Sequence, residues 1–167
     1  YNEDEPILWW APKKRMVVIP QHYKMHKSMR NIFNRKLFTV TFDKDFHQVI
    51  TTCKDIYRKD QLGTWISDEI VQAYTQLYEM GLAHSVEVWQ NKKLVGGLYG
   101  VDIGNGIFCG ESMFSKVSNA SKVAFYALLQ DLKEKNYLLL DCQVYNEHLE
   151  SLGAYEILRS EYMKYLL

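Results

Sequence analysis

The stretch from Ile107 to Gln143 constrains the fold more than any other part of the chain. It starts like a strand, with Ile107, Phe108 and Met113 among small and polar neighbours. A polar turn over residues 115–119 follows, then an amphipathic run from Ala120 to about Lys135. A second apolar strand, Leu138-Leu139-Leu140, ends in Asp141-Cys142-Gln143. Strand, turn, helix and strand in this order predict a crossover that leaves the two strands parallel. Ligands of such units sit at the carboxyl ends of the strands, so the chemistry is expected there. Glu111 falls inside the first strand's end, where a buried charge is costly unless another group answers it.

The segments before this unit read less uniformly. Trp9 and Trp10 are adjacent, so one regular strand face cannot bury both. Either one indole enters the core, or the pair forms an aromatic wall for a base or side chain. Residues 16–19 are a short β-branched run stopped by Pro20, which predicts an edge strand. A helix is expected over 26–34, with Met25, Met29, Ile32 and Phe33 at helical spacing. Between Ala11 and Phe42 the chain has no acidic residue, while Lys24, Lys27, Arg30, Arg35 and Lys36 are among its cations. Such a window suits a phosphate backbone, although a solvated helix face gives the same pattern.

Residues 37–42 alternate like a strand, and Asp43 is placed to cap a helix carrying Phe46, Val49, Ile50 and Cys53. Beyond Gly63-Thr64-Trp65-Ile66, Ser67 caps a helix with Ile70, Val71, Tyr74, Leu77 and Tyr78 on one side, ending at Gly81. Residues 83–101 give the plainest hairpin, with Asn91-Lys92 as its turn. Gly96, Gly97 and Gly100 in the returning strand predict a bulge or a close approach. A turn at Gly104-Asn105-Gly106 leads into the crossover unit. After it come a short helix over 147–152, closed by Gly153, and a strand over 155–158. The order predicts an α+β class, with the mixed sheet of the acetyltransferase-like (GNAT) fold. Residues 1–62 are expected to form a smaller partial N-terminal lobe, and 63–167 the catalytic domain.

Composition narrows the chemistry. The 167 residues are 47% hydrophobic and 24% charged with zero formal net charge, so no global field favours nucleic acid or membrane. The five histidines lack metal-ligand spacing, which predicts no metal site. Three cysteines, odd in number and without a CxxC pair, suit a reduced cytoplasm. No run approaches the ~18 apolar residues of a membrane span. Cys109 and Cys142 read as buried structural thiols rather than nucleophiles. A CoA enzyme of this fold offers a glycine-rich turn at the helix start, and residues 116–121 contain no glycine. No cofactor is therefore expected. Asp141 and Gln143, two apart on a strand, are expected on one face, where the carboxylate could orient the carboxamide.

At these residues the sequence resembles the bacterial leucyl/phenylalanyl-tRNA–protein transferase family. The likeness rests on Ile7-Leu8-Trp9-Trp10, Gly63-Thr64-Trp65-Ile66, the run from Ala83 to Trp89, and Leu94 to Val101. It continues through Gly110-Glu111-Ser112-Met113-Phe114-Ser115, Ala120-Ser121-Lys122, Asp141-Cys142-Gln143 and Ser151-Leu152-Gly153-Ala154. The resemblance implies transfer of Leu or Phe, with Met as a third candidate, from aminoacyl-tRNA to proteins with N-terminal Arg or Lys, marking them for N-end-rule degradation. It implies Asp141 and Gln143 as the catalytic element, and Trp65 beside the terminal adenosine. Glu111 and Gly110 would lie at the aminoacyl pocket, with Phe108, Leu98, Phe125, Leu128 and Leu140 as its apolar candidates. Lys24, Lys27, Arg30, Arg35 and Lys36 would hold the tRNA. The family's Gly-Gly-Asp-Leu-Ser and Phe-Pro-Trp motifs, expected before Tyr1, are absent, which implies a truncated form and bears on its activity. Two other classes stay open: a CoA-dependent N-acyltransferase on this fold, and a non-catalytic binder of RNA or basic N-termini.

Overall fold

The computed structural model describes residues 11–25, 27–56 and 64–167. The tryptophan pair at 9 and 10 and the boundary expected near residue 62 lie outside them. Seven strands form one mixed sheet: β1 (Lys14–Val18), β2 (Thr39–Phe42), β3 (Ala83–Gln90), β4 (Lys93–Gly104), β5 (Ile107–Ser115), β6 (Leu139–Gln143) and β7 (Tyr155–Leu158). Their order across the sheet is β2-β3-β4-β5-β6-β1-β7. The helices are α1 (Lys27–Asn34), α2 (Phe46–Asp55), α3 (Asp68–Glu79), α4 (Ala120–Glu134), α5 (Glu147–Ser151) and α6 (Arg159–Leu166).

The expected hairpin and crossover are both present. Asn91 and Lys92 turn β3 into β4 with φ of 50° and 63°, the left-handed pair that matches strand twist. β3, β4 and β5 run antiparallel, and α4 carries the chain from β5 to a parallel β6. α4 lies on one face, burying Val123, Ala124, Leu128 and Leu129 against Val86, Val88, Leu98, Phe108 and Leu140. α1 joins this layer through Met29. On the other face α2 and α3 cover Tyr99 and Phe114, while α6 covers Val17, Ile107 and Leu139.

Three expectations need correction. β1 is not an edge strand: it lies between β6 and β7 and is antiparallel to both. Pro20 falls just past the strand, in a 3-10 turn at Pro20–His22, so it removes no donor from the ladder. The cap of α2 is Asp45, whose side chain accepts from the Gln48 N–H. Asp43 has φ of 53° instead and ties back to β3, accepting from the Ser85 N–H and pairing with His84. The segment after β7 carried no expected helix and forms α6.

A buried carboxylate fixes the β2–α2 connection. Glu87 is fully buried and accepts from the hydroxyls of Thr41 and Ser85, each at 2.6 Å, and from the N–H groups of Lys44 and Asp45. Its donors come from β2, β3 and the helix entry, so the charge is answered on every side.

The glycines of β4 mark close approaches. A Cβ on Gly100 would overlap the Cys109 carbonyl oxygen and the Phe108 ring. Both obstacles belong to the neighbouring strand and its core side chain. Gly100→Ala should therefore destabilise the fold by about 3 kcal/mol, lowering Tm by roughly 6–12 °C. A thermal melt matching that of the parent chain would contradict this packing.

Candidate active site

β5 and β6 pair over only three positions, Ile107 with Leu139, Phe108 with Leu140 and Cys109 with Asp141. Past this point β5 keeps β4 as its partner and β6 keeps β1, so the two parallel strands part. The gap is a cavity of about 370 Å³, within the range of small-molecule sites. It opens at the carboxyl ends of the strands, as the crossover predicted.

Two strand irregularities supply its polar groups. Gly100 pairs with Gly110 and Tyr99 with Ser112, which leaves Glu111 as an extra, bulged residue. On β6, Val17 pairs with Asp141 and Met16 with Gln143, so Cys142 is the extra residue. Gln143 then takes φ of 68°, a left-handed value uncommon outside glycine. Each bulge re-aims a side chain that a regular pleat would direct elsewhere. Glu111 and Gln143 consequently meet in the cavity, with Gln143 Nε2 donating to the Gly110 carbonyl at 2.9 Å and to Glu111 Oε2 at 3.2 Å. Both amide hydrogens are taken by acceptors, which leaves Oε1 to accept from a ligand.

The structure gathers most of the expected residues here. Trp65, Leu98, Gly110, Glu111, Phe125, Leu128, Leu140 and Gln143 all line the cavity. Phe108 does not: it lines a separate cavity of about 200 Å³ beside His84 and Tyr137. It lies where β5 and β6 are still hydrogen-bonded, before the gap opens. Asp141 is also absent from the lining. It was expected on the same face as Gln143, but the bulge at Cys142 breaks the alternation. Its carboxylate faces β1 and α6, where Arg15 Nε and Nη2 donate at 2.8 to 3.0 Å and the Tyr162 hydroxyl at 2.7 Å. Toward the cavity it only accepts the main-chain N–H of Gln143, at 2.8 Å.

Tyr74 is a contact of Glu111 that the sequence marked only as core. Its hydroxyl hydrogen-bonds to Glu111, and its ring packs edge-on between those of Trp65 and Tyr99. Met113, Val144 and Asn146 also line the cavity. Burial pushes the Glu111 carboxyl above its ordinary value, and the hydrogen bonds from Gln143 and Tyr74 oppose that only in part. Burial likewise raises the Cys109 thiol to about 12, and the Cys142 thiol moves in the same direction. Neither is a thiolate near neutral pH, which fits structural cysteines. Among the described residues no group of three His, Cys, Asp or Glu side chains is placed to hold a metal ion.

The basic window divides into two parts. Lys14 pairs with Glu156 at 3.1 Å, and Arg15 with Asp141. Lys24, Lys27, Arg30, Arg35 and Lys36 are exposed, and none has an acidic partner among the described residues. α1 packs against α4, so this face belongs to the helical layer that also walls the cavity.

Comparison with known proteins gives the family. A family model described as leucyl/phenylalanyl-tRNA protein transferase matches residues 17–167. The leucyl/phenylalanyl-tRNA–protein transferase of Flavobacterium johnsoniae is 60% identical over 166 residues, covering 99% of this chain and 78% of that protein. Its counterpart in Christiangramia forsetii is 51% identical over 168 residues, covering 100% and 79%. Among solved structures, L-PGS from Bacillus licheniformis aligns with a TM-score of 0.54 at 15% identity, over 77% of this chain and 45% of that one. An aminoglycoside acetyltransferase from a soil metagenome aligns at 0.54 with 12% identity, over 71% and 89%. At such identities the two structures speak for the fold alone, and the acetyltransferase-like α+β architecture expected from the element order is the one observed. Among the described residues no helix is long and apolar enough to cross a membrane.

The raised carboxyl of Glu111 has a thermodynamic consequence. Its folded-state pKa lies above the ordinary 4.5, so the folded state holds the proton more tightly than the unfolded chain does. Stability therefore falls as pH rises from 4.5 through the folded value and is level beyond it. Glu111→Gln removes this dependence, so the variant should gain stability relative to the parent across that window. Thermal melts from about pH 4 to pH 8 check this, and a difference independent of pH would refute it.

Proposed function

The chain belongs to the leucyl/phenylalanyl-tRNA–protein transferase family and is an aminoacyltransferase; we propose that it carries Leu or Phe from aminoacyl-tRNA to the α-amino group of proteins beginning with Arg or Lys. The observation that carries this reading is the Gln143 carboxamide, held by Gly110 and Glu111 at the floor of an apolar cavity with its oxygen left to accept.

The chemistry needs little beyond placement. An aminoacyl ester is already activated, so holding the amine against its carbonyl supplies much of the rate. The amine nitrogen bonds to the ester carbon, the bond from that carbon to the ribose oxygen breaks, and one amine proton ends on that oxygen. Positive charge grows on the nitrogen as it attacks, and Gln143 Oε1 accepts a hydrogen bond from it at that stage. Leu98, Met113, Phe125, Leu128 and Leu140 form a wall suited to a leucine or phenylalanine side chain. Such a wall separates side chains differing by a methylene by only ~1–3 kcal/mol. Trp65, partly exposed at the rim and braced by Tyr74, offers a face for the terminal adenosine. Asp141 acts through the main chain of Gln143 and is a positioning residue.

The test is transfer of labelled Leu from Leu-tRNA onto an Arg-initiated peptide. Product should form, ribonuclease pretreatment of the charged tRNA should abolish it, and acetyl-CoA should not substitute. Transfer that persists after ribonuclease, or that runs on acetyl-CoA alone, would overturn the reading.

The exposed cations from Lys24 to Lys36 serve this reaction by holding the tRNA backbone, a contact without sequence information. Replacing Lys27, Arg30 and Arg35 by Ala should weaken different tRNAs alike. It should also flatten the salt dependence of binding by about one unit of slope per lost phosphate contact. Unchanged affinity and slope in filter-binding titrations would leave this face merely solvated.

A further inference from the structure

The carboxylate of Asp141 is fully buried, and its hydrogen-bonding partners define an arrangement behind the cavity floor. Oδ2 accepts from Arg15 Nη2 at 2.8 Å, Arg15 Nε at 3.0 Å, the Tyr162 hydroxyl at 2.7 Å and Cys109 Sγ at 3.7 Å. Oδ1 accepts from Arg15 Nε at 2.9 Å and from the Gln143 N–H at 2.8 Å. The guanidinium engages both oxygens, which fixes the carboxylate plane. Arg15 also lies over the Tyr162 ring, 5.3 Å from its centroid, so the two donors brace each other.

The remaining bond leads toward the cavity. An aspartate oxygen accepting the N–H two residues on closes an Asx turn, which tethers the peptide plane between Cys142 and Gln143. Gln143 leaves that plane with a left-handed φ of 68°. Were Asp141 free to rotate, that plane would lose its tether, and the uncommon left-handed backbone of Gln143 would be free to relax toward the extended region. A strand alternates its side chains, so that relaxation would swing the carboxamide away from Gly110 and Glu111.

We propose that Arg15 and Tyr162 are positioning residues for aminoacyl transfer, acting through Asp141 and the Gln143 main chain to set the carboxamide that faces the ester. The proposal rests on the transferase reading of the cavity. Neither residue lines that cavity, and they come from β1 and α6, on the far side of the sheet from α4. Removing either donor should cost turnover, not substrate binding.

The experiment is a double-mutant cycle in the intact protein, with Tyr162→Phe and Gln143→Ala made singly and together. Tyr162→Phe keeps the ring and loses one hydrogen bond. It should lower kcat on the order of tenfold, with KM for aminoacyl-tRNA unchanged within about twofold. In the Gln143→Ala background the same change should cost nothing further, because the group it positions is gone. Arg15→Lys should keep more turnover than Arg15→Met, and thermal melts confirm that each variant is folded. Parent-like kcat in Tyr162→Phe, or an equal loss in both backgrounds, would overturn the proposal while leaving the transferase reading intact. Full turnover in Gln143→Ala would overturn both.

Discussion

A carboxylate removed from water must be met by charge and hydrogen bonds, and in this chain that demand joins segments far apart in sequence. Asp141 on β6 takes Arg15 from β1, Tyr162 from α6 and Cys109 from β5. Losing one partner of a buried pair costs about 3–5 kcal/mol, because the other charge stays buried and unanswered. The contact therefore gives β1 a place inside the sheet that its short apolar run alone would not secure. It also gives α6 a reason to fold back over Val17, Ile107 and Leu139. The strand that ends at the cavity is held from behind.

The cavity in front exists because regular pairing stops. Parallel strands that stayed hydrogen-bonded would leave no gap between β5 and β6, and ideal pleats would send Glu111 and Gln143 to positions set by alternation. Two bulges, at Glu111 and Cys142, bring the carboxylate and carboxamide together. The wall beside them is rigid for a different reason. Trp65, Tyr74, Tyr99 and Phe46 follow one another edge to face with centroids 5.4 to 6.5 Å apart, running from the rim into the core. Such contacts add to the burial of large rings, so the exposed indole rests on a packed support.

Much of this was legible in the sequence, and the failures have a common cause. The β3–β4 hairpin announces itself through alternation and a two-residue turn, both of which act within a few residues. The crossover is read from a change in periodicity, and a cavity opens at the strand ends to which it points. Leu98, Gly110, Phe125, Leu128 and Leu140 meet there because alternation and helical spacing already assign their faces, whereas Glu111 and Gln143 arrive through bulges that the pattern does not show. The misreadings sit where a distant partner decides. β1 looked like an edge because β7, its second neighbour, lies about 140 residues away in the chain. Asp43 looked like a cap because its tie to Ser85 crosses to another strand. Asp141 and Gln143 looked co-facial because a register shift leaves no trace in local pattern. Tyr74 spaces like any core tyrosine, and only the fold shows its hydroxyl reaching Glu111.

The two carboxylates of the site are treated in opposite ways, and the contrast explains why the irregular strand end is tolerated. Asp141 meets a bidentate guanidinium, while Glu111 has two uncharged donors directly against it and is pushed upward by burial. A core selected for stability alone would exchange Glu111 for an apolar residue of similar size. It would also give Gln143 an extended backbone in place of its left-handed one. Both departures are costs, and they fall on the two residues whose polar groups meet in the cavity. The offsetting interactions are concentrated around Asp141, beside β1 and α6. The irregular strand end and the clamp behind it are thus joined, since the Gln143 N–H donates to the carboxylate that Arg15 and Tyr162 hold.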